Sequence, residues 1–190
     1  MIDVSKYKIP KFEAFELSYD FKSKIEIKFA THIAIMYHEL AYHQMINFSD
    51  INNEFFEKNL PANDTAIDTY LYKAWSSAYS VYALLRTTTE AVRKINKELL
   101  NETDIRDSYK TRIKEIIDIA NDMIKHPMFN DTDASCAYLP TGLGRGGEID
   151  VQKWIDKTTP SSTIEIYPEK DFYTICNYLE HIAELITEKS

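Results

Sequence analysis

Apolar side chains recur at helical spacing along most of this 190-residue chain. In the longest such segment, which begins at Asn63 or Asp64, they step alternately by four and three positions for more than four heptads, which is typical of a packed helix. Thr87, Thr88 and Thr89 are β-branched and favour helices weakly, so we expect a bend or break there. The stripe consists of Ile67, Leu71, Ala74, Ala78, Val81, Leu85, Thr88, Val92, Ile95 and Leu99.

A helix over residues 22–46 is predicted before this segment. Its stripe steps by 4, 3, 4 and 3 through Phe29, Ile33, Met36, Leu40 and His43. Ser49 is predicted to be the N-cap of a separate short helix. This helix ends at about residue 60, because Pro61 follows.

Two more helices are predicted after the long one. Thr103 caps a helix over residues 104–126, with Pro127 at its end. Pro168, followed by Glu169 and Asp171, begins the last helix. The two stripes are Ile105, Tyr109, Ile113, Ile116, Ala120 and Met123, and Phe172, Ile175, Leu179, Ile182 and Ile186.

All four glycines of the chain lie within six positions, at Gly142, Gly144, Gly146 and Gly147. With two prolines and several short polar residues nearby, they predict a long irregular loop over residues 127–148. We expect a short helix over residues 149–157 after it, then a turn, and an extended segment over residues 162–167.

These elements predict an all-α fold, an up-and-down antiparallel bundle of four to five main helices in a single domain over residues 1–190. Residues 1–20 form an irregular N-terminal arm in this prediction. The alternation of four and three does not separate packing within the chain from a homodimer interface.

The net charge of −8 is concentrated in residues 127–190, which hold eleven acids and five bases. This excess disfavours non-specific binding to nucleic acid, although residues 86–114 carry eight bases against five acids. Since no apolar run is long enough to span a membrane and no signal peptide is evident, we expect a cytoplasmic protein without a membrane partner. Two cysteines without a CxxC motif favour a reducing compartment.

The glycine run also suggests a binding site. Amides of Gly144, Gly146 and Gly147, with Arg145 among them, could hold an anion, and a flexible loop tip is the alternative. The string GxGxxG has no βαβ unit around it, which excludes a dinucleotide site.

Other candidate residues lie on the helices. His38 and His43 are five residues apart and point away from each other. Glu39 and His43 could share a metal, but no ExxH pair elsewhere would complete the site, so no metal is expected. No other cofactor is expected. A second stripe beside the long one consists of Tyr72, Trp75, Tyr79, Tyr82, Arg86 and Arg93. It is expected to form core or a dimer interface, or else a platform on which bases stack. His126 ends a helix, where a raised pKa would suit acid–base chemistry and a simple helix cap is the alternative.

Some of these residues resemble motifs of the HEPN superfamily, small helical bundles that are often ribonucleases of prokaryotic defence and toxin–antitoxin systems. The segment from Glu90 to Lys94 is similar to an acidic residue placed four before a lysine on a long helix. Asn121 and His126 stand where the family's Arg-x(4–6)-His motif would put them, and the segment over residues 166–171 is also similar. Ala120 occupies the arginine position of that motif.

The resemblance implies a divergent or non-catalytic relative that binds RNA or a protein partner. If the protein is an enzyme, it is a metal-independent ribonuclease in which His126 is the acid–base group, Glu90 orients it, and Arg86, Arg93 or Arg145 holds the phosphate. Glu90, Asn121 and His126 should then converge. The second hypothesis is a non-enzymatic acidic interaction module that binds a basic protein through its last third.

Overall fold

The computed structural model describes residues 25–99, 107–125, 137–154 and 160–188. Within these ranges the chain forms four helices and a three-stranded antiparallel sheet. In chain order they are α1 (Ile25–Lys58), α2 (Ala66–Leu99), α3 (Asp107–Lys125), β1 (Ala137–Leu143), β2 (Ile149–Trp154), β3 (Pro160–Ile166) and α4 (Pro168–Glu188). The N-terminal arm of residues 1–20 and His126 lie outside the described residues.

Helices α1 and α2 form an antiparallel hairpin. Asn59, in the left-handed region at φ 46°, follows the end of α1, and the Asp64 carboxylate accepts a hydrogen bond from the Ala66 amide at 2.8 Å. Of the two predicted starts of the long helix, Asn63 and Asp64, the structure confirms Asp64 as the capping residue. Along the hairpin, the Asn47 amide donates to Ser77 and the Tyr70 hydroxyl donates to Glu54, each at 2.6 Å.

Helix α2 is the central element, since it contacts α1, α3, α4 and β1. Its predicted stripe is confirmed, with Val81, Leu85, Thr88, Val92 and Ile95 each fully buried. Of the bend or break expected at residues 87–89, the break is wrong, since α2 is continuous from Ala66 to Leu99, and the bend stays a prediction. Each of the three threonine hydroxyls donates to the carbonyl four residues earlier at 2.7 to 3.1 Å, so the polar groups are satisfied within a continuous helix.

Of the stripe predicted on the first helix, Ile33 packs against the core and the other four residues are exposed. Phe29, Met36 and Leu40 are 61%, 51% and 46% exposed, and His43 is also exposed. Small residues line the buried face instead, which lets α2 approach closely and brings larger side chains into the core only toward the end of the helix. The buried apolar residues of α1 are Ala30, Ala34, Ala41, Met45 and Phe48, and Thr31, His38, Ser49 and Asn52 are the buried polar residues beside them.

Ser49 does not cap a separate helix, because α1 runs unbroken from Ile25 to Lys58. The side chain is buried, and its hydroxyl donates to the Met45 carbonyl at 3.0 Å. A serine that bonds back along its own helix is satisfied in the interior.

The predictions for α3 and α4 are largely confirmed. Ile113, Ile116, Ala120 and Met123 are buried on α3, and Ile105 lies outside the described residues. Helix α4 begins at Pro168, as predicted. All five stripe residues of α4 are buried, from Phe172 to Ile186.

The prediction of a purely helical fold is wrong, because residues 137–166 contain a sheet in the order β1-β2-β3. Residues 137–143 form β1 within the predicted loop, and residues 149–154 form β2 in place of the predicted helix. Ile149 and Val151 are buried while the residues between and after them are less so. This alternation has the period of a strand. The prediction of an extended segment from residue 162 is confirmed by β3.

The two faces of the sheet differ in chemistry. Ile149 pairs with Ile166 and Val151 pairs with Ile164 on the face that packs on the core. On the other face Asp150 stands directly opposite Glu165, two like charges that destabilise a sheet in isolation. Asp122 of α3 ties the sheet to the bundle, since Tyr138 and Lys153 both donate to it, at 2.7 and 3.1 Å.

None of the helices in the described ranges has the length and apolar character that crossing a membrane requires.

Candidate functional site

A groove of about 450 Å³ lies between α2, α3 and α4. Arg93 and Asn96 line it from one face of α2, three residues apart. Lys110 and Lys114 line it from α3, where a separation of four residues also places them on one helical face. The basic segment found in the sequence therefore forms one edge of a concave surface.

The groove is cationic at its rim and apolar at its floor. Arg93, Lys110 and Lys114 are exposed, and Asp118 is the acidic residue that lines the groove with them. The floor consists of Ile113, Ile117 and Tyr178, of which Tyr178 is 2% exposed.

Asn96 lines this groove and carries a buried polar atom that is unsatisfied. Its side chain is 2% exposed, and its Oδ1 has no hydrogen-bond partner among the described residues. Leaving a buried acceptor unpaired costs about 1 to 3 kcal/mol, so such an atom calls for a bound water or ligand.

Two further buried polar atoms without a described partner lie on α2 and α3, the helices that carry the cationic rim of the groove. They are the Arg86 Nε on α2 and the Asn121 Oδ1 on α3. The Arg86 guanidinium also pairs with Glu90 one turn later, with Nη2 and Oε1 at 3.0 Å. The structure thus joins Arg86 to Glu90, and the predicted convergence of Glu90 and Asn121 with His126 stays a prediction.

Ala120, which stands at the arginine position of the family motif, is fully buried in the core. An arginine there would have to bury its charge among apolar side chains, at a cost of several kcal/mol. Within this fold, position 120 is a packing position.

Gly144, Gly146 and Gly147 lie in the tight turn between β1 and β2, and Gly142 lies in β1 opposite Asp150. The Gly144 amide donates to the Glu148 carbonyl at 2.8 Å, and the Gly147 amide donates to the Gly144 carbonyl at 3.1 Å. Gly147 has φ 84°, which favours glycine. Two of the amides expected to hold an anion are therefore bonded within the turn.

The same turn already carries a carboxylate. A Cβ placed on Gly144 would lie 2.0 Å from the Glu148 Cδ, and one on Gly146 would lie 2.7 Å from its Oε2. A Cβ on Gly142 would lie 2.9 Å from the Asp150 Oδ2. The glycines make room for acidic side chains, which compete with any external anion.

Arg145 points from the turn toward α1. Its guanidinium carbon lies 5.1 Å from the centre of the Phe56 ring, a cation–π contact. The Asn52 amide donates to the Gly144 carbonyl at 3.4 Å. These contacts dock the turn on the hairpin, well separated in sequence from the groove residues.

Sequence reasoning missed a buried polar cluster that joins three helices. The Tyr82 hydroxyl of α2 donates to Asp171 Oδ2 of α4 at 2.5 Å, and the Arg112 Nε of α3 donates to Asp171 Oδ1 at 3.0 Å. Asp171 has no exposed surface. The acid at the start of a helix was visible in the sequence, and the partners it would find 89 and 59 residues away were not.

Burial dominates the ionisation of this cluster. It raises the pKa of the Asp171 carboxyl above its ordinary value, while the bonds from Tyr82 and Arg112 oppose that rise. The pKa of Tyr82 is raised well above its ordinary value by burial and then by the neighbouring Asp171. The adjacent Phe172 stacks on His38 with 4.8 Å between ring centres, and burial lowers the pKa of His38 to about 3. His38 is therefore a neutral core residue.

The predicted aromatic stripe of α2 divides into different environments. Tyr72 is 57% exposed, Trp75 and Tyr79 pack partly buried against the core, and Tyr82 is fully buried in the polar cluster. A continuous platform for bases is not formed along this helix.

Comparison with protein-family models, with curated proteins and with solved structures finds no match for this chain. No group of three acidic, histidine or cysteine side chains suited to a metal occurs in the part of the chain that the structure describes.

Proposed function

We propose that this chain is a HEPN-like protein that binds single-stranded RNA along the groove between α2 and α3 without cleaving it. The observation that carries the proposal is the rim formed by Arg93, Lys110 and Lys114 in a chain that is otherwise acidic. Cations that converge on one groove attract a phosphate backbone, while the negative charge elsewhere limits non-specific contacts.

Two features support the non-catalytic version. Ala120 is part of the core, so the arginine of the family motif has no counterpart at that position. Arg86, a candidate to replace it, pairs with Glu90. The biological setting that fits the resemblance is a prokaryotic defence or toxin–antitoxin system, in which such a protein recognises RNA or regulates a partner.

The binding test uses fluorescence anisotropy of a labelled single-stranded RNA with wild-type protein, Lys114→Glu and Lys73→Glu. Lys73 lies near the opposite end of α2, so its reversal changes the net charge equally without touching the groove. We expect Lys114→Glu to weaken binding at least ten-fold and Lys73→Glu to leave it within about two-fold, since exposed charges beyond ~10 Å are screened. Equal effects of the two variants would contradict the proposal.

Salt dependence gives an independent readout. Single-strand binding loses about 0.7 in the slope of log affinity against log salt for each phosphate contact removed. Lys114→Gln should reduce the slope by that amount. An unchanged slope would mean that Lys114 does not contact phosphate.

The cleavage test incubates a mixed RNA pool with wild type and His126→Ala without added metal. We expect no cleavage by either protein. Cleavage that His126→Ala abolishes would instead establish a metal-independent ribonuclease and return His126, Glu90 and Asn121 to catalytic roles.

A second candidate function is favoured by the acidic face of the sheet. Asp150 and Glu165 are directly opposed. The Tyr167 hydroxyl donates to Glu165, and this bond raises the pKa of Tyr167, to which the charges of Glu165, Glu148 and Asp150 add. We propose that a basic protein partner would relieve this repulsion. The double variant Asp150→Asn/Glu165→Gln should then bind such a partner more weakly, while Lys114→Glu should bind it as the wild type does. This pattern would support the alternative over RNA binding.

A further inference from the structure

The groove between α2, α3 and α4 is large enough to hold a small molecule, as well as to contact the phosphate backbone of a nucleic acid. Its volume of about 450 Å³ falls within the ~300 to 1,000 Å³ that is usual for ligand pockets. A surface that only attracted phosphate would not need an apolar floor or a buried amide. The apolar floor and the buried amide therefore require a separate explanation.

The groove changes in character from its mouth to its floor. Arg93 and Lys114 are exposed at the rim, whereas Ile113 is 7% and Tyr178 is 2% exposed. Tyr178 is held in place by Tyr109, with 5.7 Å between ring centres. A ligand that matches this arrangement has an anionic group at one end and a flat, partly apolar body at the other.

Asn96 adds a hydrogen-bonding requirement. Its Oδ1 has no partner among the described residues, and the side chain is almost completely buried where it lines the groove. A carboxamide offers an acceptor beside a donor. Adenine offers the complementary pair, an amino group beside a ring nitrogen, which is why Asn is a frequent partner of adenine.

We propose that the groove holds one adenine nucleotide, with the base against Asn96 and Tyr178 and the phosphate at Arg93 and Lys114. This inference rests on the proposed RNA-binding function and names the unit that the groove accepts. The nucleotide has two sources of the same chemistry, an unpaired residue of an RNA strand or a free nucleoside monophosphate.

The first test measures calorimetric affinity for AMP and for ribose 5-phosphate. The sugar phosphate lacks the base, so we expect it to bind at least ten-fold more weakly, a difference of about 1.4 kcal/mol. Equal affinities would show that the groove recognises only phosphate and would overturn the inference.

The second test uses Asn96→Leu, which removes the amide and keeps a similar shape. Because the Oδ1 is unpaired in the protein alone, we expect no loss of thermal stability. AMP affinity should fall at least ten-fold, while ribose 5-phosphate affinity should not change. A variant with unchanged AMP affinity would mean that water satisfies Asn96, and the inference would fail.

The RNA arms separate this inference from the proposed function. If Lys114→Glu weakens oligoadenylate binding and Asn96→Leu does not, the protein binds RNA but has no site for the base. That result would support the proposed function and contradict this inference. Binding of AMP through Asn96, without any RNA binding, would identify the free nucleotide as the ligand and remove the proposed function. Loss of oligoadenylate binding in both variants supports the two together.

Discussion

The Tyr82 hydroxyl donates a 2.5 Å hydrogen bond to the carboxylate of Asp171, and both side chains are fully buried. This contact joins α2 to α4 in the centre of the bundle. Arg112 of α3 donates to the other oxygen of the same carboxylate. One acid therefore fixes the relative position of the three helices that line the groove.

Tyr82→Phe should destabilise the fold, because it leaves one oxygen of a buried carboxylate without its donor. We expect a loss of about 1 to 3 kcal/mol in the free energy of unfolding, measured by urea denaturation. The matched control is Tyr72→Phe, at an exposed tyrosine on the same helix, which should stay within about 0.5 kcal/mol of wild type. Similar losses in the two variants would contradict the role of the bond.

Mild acid should destabilise the protein through His38. Burial lowers its pKa from 6.5 to about 3, so the folded state holds it neutral while the unfolded state takes up a proton below pH 6.5. The stability contributed by this difference is full above pH 6.5 and is lost as pH falls toward 3. Between pH 7 and pH 5 we expect a loss of about 2 kcal/mol from this group.

The measurement for His38 compares urea denaturation at the two pH values for wild type and His38→Phe. An aromatic replacement keeps the stacking on Phe172 and removes the titrating group. The variant should lose about 2 kcal/mol less than wild type over this interval, and His32→Gln, at an exposed position, should behave like wild type. The same loss in wild type and His38→Phe would count against neutral burial of His38.

The turn between β1 and β2 offers a test of why its glycines are required. Gly144→Ala should cost about 0.5 to 1.5 kcal/mol, because the new Cβ forces the Glu148 side chain from its position. The cost should disappear in a Glu148→Ala background. Gly147→Ala should cost about 1 to 2 kcal/mol in either background, because the strain comes from its φ of 84°.

A double-mutant cycle of thermal or urea unfolding measures these costs. Coupling between positions 144 and 148, without coupling between 147 and 148, is the expected pattern. Equal penalties for Gly144→Ala with and without Glu148 would show that the glycine serves the backbone and does not make room for the acid.

The sequence predicted the elements whose burial repeats over many turns. The stripes of α2 and α4 each supply large apolar residues at regular spacing, so the pattern alone identifies the buried face of each helix. On α1 the same reading chose the exposed Phe29, Met36 and Leu40. The core face of α1 consists largely of alanines. Their small size allows close contact with α2, and for the same reason a search for large apolar side chains does not find that face.

The sheet could not be predicted with the same rules. Its strand β2 has only Ile149 and Val151 in clear alternation, too short a pattern to compete with a helical interpretation. The glycine cluster did indicate an unusual backbone. Its physical reason, space for Glu148 and Asp150, depends on contacts that exist only after the hairpin forms.

For the candidate site, the sequence supplied the basic segment and Arg93, and the fold supplied the rest. Asn96 lies among charged residues and has no distinguishing pattern of its own. Its burial and its contribution to the groove become visible only when α3 and α4 pack against α2.

The most direct test of the account maps amide chemical shifts during titration of the full chain with a single-stranded oligoadenylate. We expect the largest changes on α2 around Arg93 and Asn96 and on α3 from Lys110 to Asp118. Amides of the turn from Gly144 to Gly147 should change little. Changes centred on that turn or on the acidic face of the sheet, or no changes at all, would contradict RNA binding in the groove.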